Sequence, residues 1–227
     1  MSGVLVLMVL DWAELRLERL RAVLPVAVLA MVGSLVFAWM CDAVGDHNGI
    51  TAVDGPVSLW FATHRSSTEG HVGLLLAKAT SPLVLIGLVA IAALLLRRKG
   101  LRRESTLLVA ATVMAYAAGA VTKYAEHRAR PLSPINLAPE GEPSFPSGHV
   151  LIIATLAVVA VGLAWAHLNR MSRVLAVVAA TTSTIIVALD RLVVGAHWLT
   201  DVAGSLALAG VIAAVVFGAH AMWRPSM

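Results

Sequence analysis

The sequence has little of what a water-soluble enzyme of its size uses. Only 13% of its 227 residues are charged and only 5% are aromatic, while 59% are hydrophobic and mean hydropathy is +0.85. A soluble domain normally carries about a quarter charged residues, so the shortage argues against a soluble fold. There is one cysteine, Cys41, which excludes an internal disulfide and any cysteine-based metal site. A net charge of +4 could suggest a polyanion partner, but the basic residues sit in short clusters between apolar runs, where they report membrane topology and not nucleic-acid binding. Polar stripes at helical spacing, long linkers, low-complexity tracts and internal repeats are all missing.

What remains is apolar run after apolar run. Crossing the hydrocarbon core takes roughly 20 apolar residues, within about 17–25. Runs at 22–41, 79–96, 105–122, 150–166, 174–189 and 202–223 meet or approach that length, giving six candidate spans. Their Ala, Gly, Val and Leu content suits helices that pack closely on small residues. The expected fold is therefore all-α: a polytopic membrane protein with six transmembrane helices in one bundle. Residues 1–10 are too short to span and have no basic start, so they do not read as a signal peptide. Residues 11–21 interleave Leu15, Leu17 and Leu20 with Arg16, Arg19 and Arg21. Residues 1–21 are thus expected to form an interfacial segment ahead of a six-span domain at 22–223.

Eleven of the seventeen Lys and Arg residues fall on one side of this arrangement: Arg16, Arg19, Arg21, Arg97, Arg98, Lys99, Arg102, Arg103, Arg170, Arg173 and Arg224. The positive-inside rule makes that side cytoplasmic, with both termini inside and the polar segments 47–78 and 126–146 outside. Trp39, Trp60, Trp165, Trp198 and Trp223 fit an aromatic belt.

The outer side also collects the chemistry. Lys123 and Arg130–Pro131 lie at the end of the third span, Pro146-Ser147-Gly148-His149 opens the fourth, and Arg191, His197 and Asp201 bridge the fifth and sixth. An ionised side chain within a span costs about 2.5–3.5 kcal/mol on insertion scales unless paired or hydrated, so several cations there imply an anion. Lys123, Arg130 and Arg191 suit phosphate oxygens. Ser147 and Gly148 begin a helix, whose free amides and dipole favour an anion approaching closely at the glycine. His197 and Asp201 are four apart, so on one helix face the carboxylate can orient the imidazole. An oriented neutral histidine can attack phosphorus while a second histidine protonates the leaving oxygen, and with three cations and a helix terminus present no metal or other cofactor is called for.

In order and spacing these segments resemble the type 2 phosphatidic acid phosphatase family, relatives of the vanadium haloperoxidases, whose pattern is Lys-x6-Arg-Pro, Pro-Ser-Gly-His and Ser-Arg-x5-His-x3-Asp. The motifs span roughly 105–210, and one position departs: Asp190 stands where the family has serine. The resemblance implies His197 as a nucleophile forming a phosphohistidine, Asp201 orienting it, and His149 as general acid. It implies Lys123, Arg130, Ser147, Gly148 and Arg191 as the phosphate-binding set, with a lipid phosphate as substrate: a polyprenyl diphosphate, phosphatidic acid or phosphatidylglycerophosphate. An outward-facing site in a bacterial plasma membrane, among membrane lipids and without nucleic acid, follows as an expectation.

Taken singly, each motif has an ordinary explanation: a helix opening, an interfacial polar pair, headgroup anchors. Two other classes compete, a hydrolase built on Ser147 with His197–Asp201 as its base, and a non-enzymatic anion-binding or transport protein. His127 and Arg128 read as loop residues, and His47, His64 and His71 as surface residues.

Overall fold

A computed structural model of the chain describes residues 2–46 and 49–223, with side chains from residue 23 onward. Residues His47 and Arg224 and the side chains of Arg16, Arg19 and Arg21 lie outside what is described. Among the described residues eight α-helices follow one another: α1 (Ser2–Asp46), α2 (Asp54–His64), α3 (Ser67–Ala79), α4 (Pro82–Arg98), α5 (Arg102–Glu126), α6 (Gly148–Ala164), α7 (Arg170–Val193) and α8 (Leu199–Met222). No strand occurs among the described residues.

Among the described residues five segments are long and apolar enough to cross a membrane: Val23–Asp46, Arg102–Glu126, Gly148–His167, Arg170–Val193 and Leu199–Met222. α3 and α4 pass the same test only as a pair, which meets at a bend of 47° and makes a sixth, broken candidate span. The sequence reading gave that span as one run from residue 79. The break comes at Ser81–Pro82, where proline fixes its own φ, has no N–H to give and so starts a new helix at its first position. At 1.5 Å per residue, the 17 residues of α4 reach only about 25 Å, short of a hydrocarbon core of about 30 Å. The segment expected as a polar loop at 47–78 is itself largely helical, a 3-10 turn at Gly49–Val53 followed by α2 and α3. α3 starts on a capping box: the Ser66 hydroxyl accepts from the Glu69 amide at 3.2 Å, and Glu69 takes the Ser66 amide at 2.6 Å.

α8 forms the bundle axis, packed by α1, α5 and α6, and α6 lies between α5, α7 and α8. The largest buried cluster joins Leu107 and Ala111 of α5, Leu151 and Val159 of α6, and Leu208 and Ile212 of α8. Small residues set how closely these helices approach. A Cβ at Gly162 would lie 2.3 Å from the Phe217 ring, and one at Gly33 would lie 3.0 Å from Val211. The outward faces are apolar too: Leu35 of α1, Ile91 of α4 and Val178 and Ile185 of α7 are about half exposed. Continuous apolar surface of that extent is tolerated only in lipid, so the protein is integral to a membrane.

The chain ends that matter gather at one end of the bundle. There the 127–147 loop, the start of α6 and the α7–α8 turn are tied together by main-chain and side-chain bonds. Leu137 donates to the Val194 carbonyl at 2.8 Å, and Arg65 holds the carbonyls of Ile135 (2.6 Å), Pro134 (2.9 Å) and Val193 (2.9 Å). The turn depends on Gly195, whose φ of +68° is unfavourable for any side chain and whose Cβ would stand 2.2 Å from the Ile135 carbonyl oxygen. Gly195→Ala is therefore expected to cost at least about 2 kcal/mol and to lower the unfolding temperature of the detergent-solubilised protein, whereas Gly87→Ala, which meets nothing, should leave it in place.

Candidate active site

His197 lies between α7 and α8 and is 1% exposed. Its Nδ1 stands 3.2 Å from Asp201 Oδ2, and Arg130 Nη1 stands 3.2 Å from its Nε2. A carboxylate only accepts and a guanidinium only donates, so this network assigns the proton to Nδ1 and leaves a lone pair on Nε2. The i,i+4 pairing inferred from spacing is present, although His197 sits just outside the helix whose first turn contains Asp201.

Asp201 is fully buried and is satisfied on both oxygens. Oδ2 also accepts the Trp198 amide at 2.9 Å, and Oδ1 accepts from Arg128 Nη1 at 2.5 Å. Arg128 lies in a loop, as read from sequence, and is in addition a partly buried partner of the candidate site. It also donates to Thr200 Oγ1 at 2.7 Å and to Asp54 Oδ2 at 2.6 Å, and it lies 5.7 Å from the centre of the Trp198 ring. Asp54 is another residue that sequence reasoning missed. It opens α2, is 3% exposed, and accepts the Thr200 amide at 3.0 Å and the Thr200 hydroxyl at 2.6 Å. No local pattern announces it, because its partners are more than seventy positions away.

The three cations identified from spacing are each anchored differently. Arg130 donates Nε to the Glu142 carbonyl (2.8 Å) and Nη1 to the Ala196 carbonyl (2.9 Å), and its Nη2 pairs with Glu140 at 2.7 Å. Lys123, in the last turn of α5, donates to the Pro143 carbonyl at 2.5 Å, with Glu142 Oε2 4.0 Å away. Arg191 is fully buried and pairs with its neighbour Asp190, from Nε at 3.0 Å and from Nη2. The acid at the family's serine position thus engages two of the Arg191 nitrogens and leaves Nη1 with no partner among the described residues. The Ser147 hydroxyl, fully buried at the N-cap of α6, is likewise unpartnered there and makes no capping bond. Each such buried orphan costs about 1–3 kcal/mol, which a bound anion would recover.

His149, in the first turn of α6, bonds the Ala77 carbonyl at 3.3 Å. It shares a cavity of about 770 Å³ with Lys123, Gly148, Glu140 and Glu142. A Cβ at Gly148 would meet nothing within 4 Å, so the backbone there is open to the cavity. The cavity continues between α4, α5 and α6 along Leu85, Ala115, Gly119, Leu151 and Ile152. His197, Arg130 and Arg191 are not among the residues that line it.

The electrostatics follow from this layout. Burial pushes the His197 imidazole down; the hydrogen bond to Asp201 and its charge push it up; Arg130 and Lys123 push it down again, and it settles below the ordinary histidine value. Burial alone would raise the Glu140 carboxyl, but Arg130, ahead of His197, His149 and Arg191, holds it below the usual carboxylate value. A negative group at this point is thus stabilised by most of the cluster, and Glu140 is the negative group standing there. Among the described residues no group of three or more His, Cys, Asp or Glu side chains is arranged to hold a metal ion.

Comparison with known proteins bears on this arrangement. The family described as the PAP2 superfamily matches residues 104–225, which include every residue of the three motifs. None of the curated proteins matches. The fold is similar to the crystal structure of a transmembrane PAP2-type phosphatidylglycerolphosphate phosphatase from Bacillus subtilis. The TM-score is 0.76 at 23% identity, covering 87% of this chain and 98% of that one. It is also similar to LpxE from Aquifex aeolicus, with a TM-score of 0.54 at 18% identity, covering 74% and 95% of the two chains. At these identities the likeness is one of fold.

Glu140 competes for the cations that an incoming anion would use. Glu140→Gln removes its charge and keeps its size, so inorganic phosphate should bind severalfold more tightly to the variant in a calorimetric titration.

Proposed function

The chain belongs to the PAP2 superfamily, and from that premise we propose that it is a lipid phosphatase acting through a phosphohistidine at His197. The observation that carries this reading is a set of phosphate-suited donors, two of them buried without partners among the described residues, together with an oriented histidine and an apolar cavity that Lys123 and His149 line. Lys123, Arg130, Arg191, the Ser147 hydroxyl and the amide at Gly148 bind the phosphoryl oxygens. The His197 Nε2 lone pair attacks phosphorus, and the bond from phosphorus to the leaving oxygen breaks as His149 delivers a proton to that oxygen. Asp201 holds the Nδ1 proton and stabilises the charge that appears on the ring. In the second half His149 takes a proton from water, the water oxygen attacks phosphorus, the P–N bond breaks and phosphate leaves with His197 neutral again. The cations spread around the phosphoryl group supply the electrostatic stabilisation that dominates phosphoryl transfer, with no metal in the scheme.

A lipid is favoured over a soluble ester because the cavity runs from Lys123 and His149 down between apolar helices, on the scale of small-molecule sites. Candidate headgroups are a polyprenyl diphosphate, phosphatidic acid and phosphatidylglycerophosphate. The bundle end with the site is opposite the end that carries Arg97, Arg98, Arg102, Arg103, Arg170 and Arg173, so by the positive-inside rule the site faces outward. Both termini are then cytoplasmic, in the plasma membrane of a bacterium. A Ser147-centred hydrolase finds less support, since the Ser147 hydroxyl has no histidine bonded to it. A transport role finds less support too, since the motif cations lie at helix ends and not at mid-depth.

Detergent-purified protein should release phosphate from at least one of the three lipids with EDTA present, and His197→Ala should lose at least about a thousandfold in kcat. A phosphoenzyme trapped by rapid quench should be labile in acid, stable in alkali and missing from the variant. Release that survives in His197→Ala would refute the mechanism. Because His197 must be neutral to attack and its pKa is lowered, the acidic limb of kcat/KM should fall below about pH 6.5, the ordinary histidine value.

A further inference from the structure

Asp54 and Arg128 form a buried ionic relay that ends on the candidate nucleophile's carboxylate. Arg128 divides its two terminal nitrogens between two acids, Nη2 at 2.6 Å from Asp54 Oδ2 and Nη1 at 2.5 Å from Asp201 Oδ1. Both acids are 3% exposed or less. Asp54 also binds the opening turn of α8 from outside it, since Thr200 N and Oγ1 both donate to its oxygens. α8 begins with no side-chain cap of its own on those amides, so Asp54 satisfies a donor that would otherwise be an orphan of the helix terminus. One carboxylate from α2 thereby fixes both the cation on Asp201 and the backbone beside it.

We propose that Asp54 is a positioning residue for the phosphoryl-transfer reaction, acting through Arg128 and Thr200 on how Asp201 holds His197. The inference rests on the phosphatase reading above. The physical argument is one of shared charge. With Asp54 ionised, the Arg128 charge is divided, and Asp201 keeps enough negative potential to hold the Nδ1 proton and to favour the imidazolium formed during attack. Without the Asp54 charge, Arg128 is matched by Asp201 alone, and the local field at His197 becomes more positive. Both the missing anion and the redistributed cation act in the same direction, making protonation of His197 harder. The other charged groups around the ring are Arg130, Lys123, Arg191, His149 and Glu140. None of them is bonded to Asp54 among the described residues, so the change at position 54 leaves their contacts as they are.

The test is Asp54→Asn, close to isosteric, beside Asp54→Glu, which restores the charge. Histidine-labelled protein in detergent micelles is titrated by NMR, with His197→Ala used to assign the resonance. The His197 midpoint in Asp54→Asn should move to lower pH by at least about half a unit, and Asp54→Glu should return it toward the unmodified protein. Phosphate release should fall about tenfold or more in kcat, as expected when a partner behind a reacting side chain is removed, with KM little changed because the phosphate cations are untouched. The acidic limb of kcat/KM should shift with the NMR midpoint, and the substrate's own titration cancels in the comparison. A merely structural role would lower the folded fraction and the amplitude of activity while leaving both the midpoint and the limb in place, and that result would overturn the proposal. The NMR midpoint needs no turnover, so a protein that releases no phosphate from any lipid would refute the phosphatase reading while the relay is still judged by its own measurement.

Discussion

Asp201 is a negative charge held out of water at the end of an apolar bundle, and the surrounding architecture is organised by what that requires. A buried carboxylate persists only if its oxygens are occupied by donors. Here those donors are the His197 ring, the Trp198 amide and Arg128. Each brings its own dependents. His197 brings Arg130 to its far nitrogen, Arg128 brings Asp54, and Trp198 donates from Nε1 to the Ala129 carbonyl at 2.8 Å. One carboxylate thus connects α2, the 127–147 loop, the α7–α8 turn and α8. The alternation of sign from Asp54 to Arg128 to Asp201 to His197 lets several ionisable groups share a space with almost no solvent.

The cavity divides the site into two functional halves. Lys123, Gly148, His149 and Glu140 face the open volume, whereas His197, Arg130 and Arg191 do not line it. Arg191 is the extreme case, a guanidinium with no exposed surface, retained against its desolvation cost by Asp190. Gly73 of α3 makes room for this pair, since a Cβ there would lie 2.7 Å from an Asp190 oxygen. The departure from serine at position 190 therefore has a structural partner in a helix that carries none of the motif residues.

Most of the bundle was legible from sequence because membrane spans announce themselves by length and apolar content, and five of the six runs correspond to single helices. The sixth was legible as apolar but not as bent, since the run begins in the last residue of α3 and passes through Ser81–Pro82. Lys123, Arg130, Ser147, Gly148, His149, Arg191, His197 and Asp201 stand out in the sequence as candidates because their spacings are local. The structure bonds His197 to Asp201 and Arg130 directly, and gathers Lys123, Gly148 and His149 around the cavity. Asp54, Glu140 and the role of Arg128 were not legible. Asp54 precedes Gly55–Pro56 and looks like a turn former, Glu140 sits in a proline-rich loop, and Arg128 stands next to the motif arginine without belonging to the motif. Their meaning lies in pairs formed across the fold, which no window of sequence contains.

The bend between α3 and α4 has a mechanical consequence. α3 rests on α7 and α4 rests on α5, so the two legs of the bend answer to different neighbours. The cavity lies under the elbow, bordered by Ala77, Thr80, Ser81 and Pro82 on one side and by α5 and α6 on the other. A change in the distance between α5 and α7 would therefore alter the angle of the elbow and, with it, the cavity that the elbow borders.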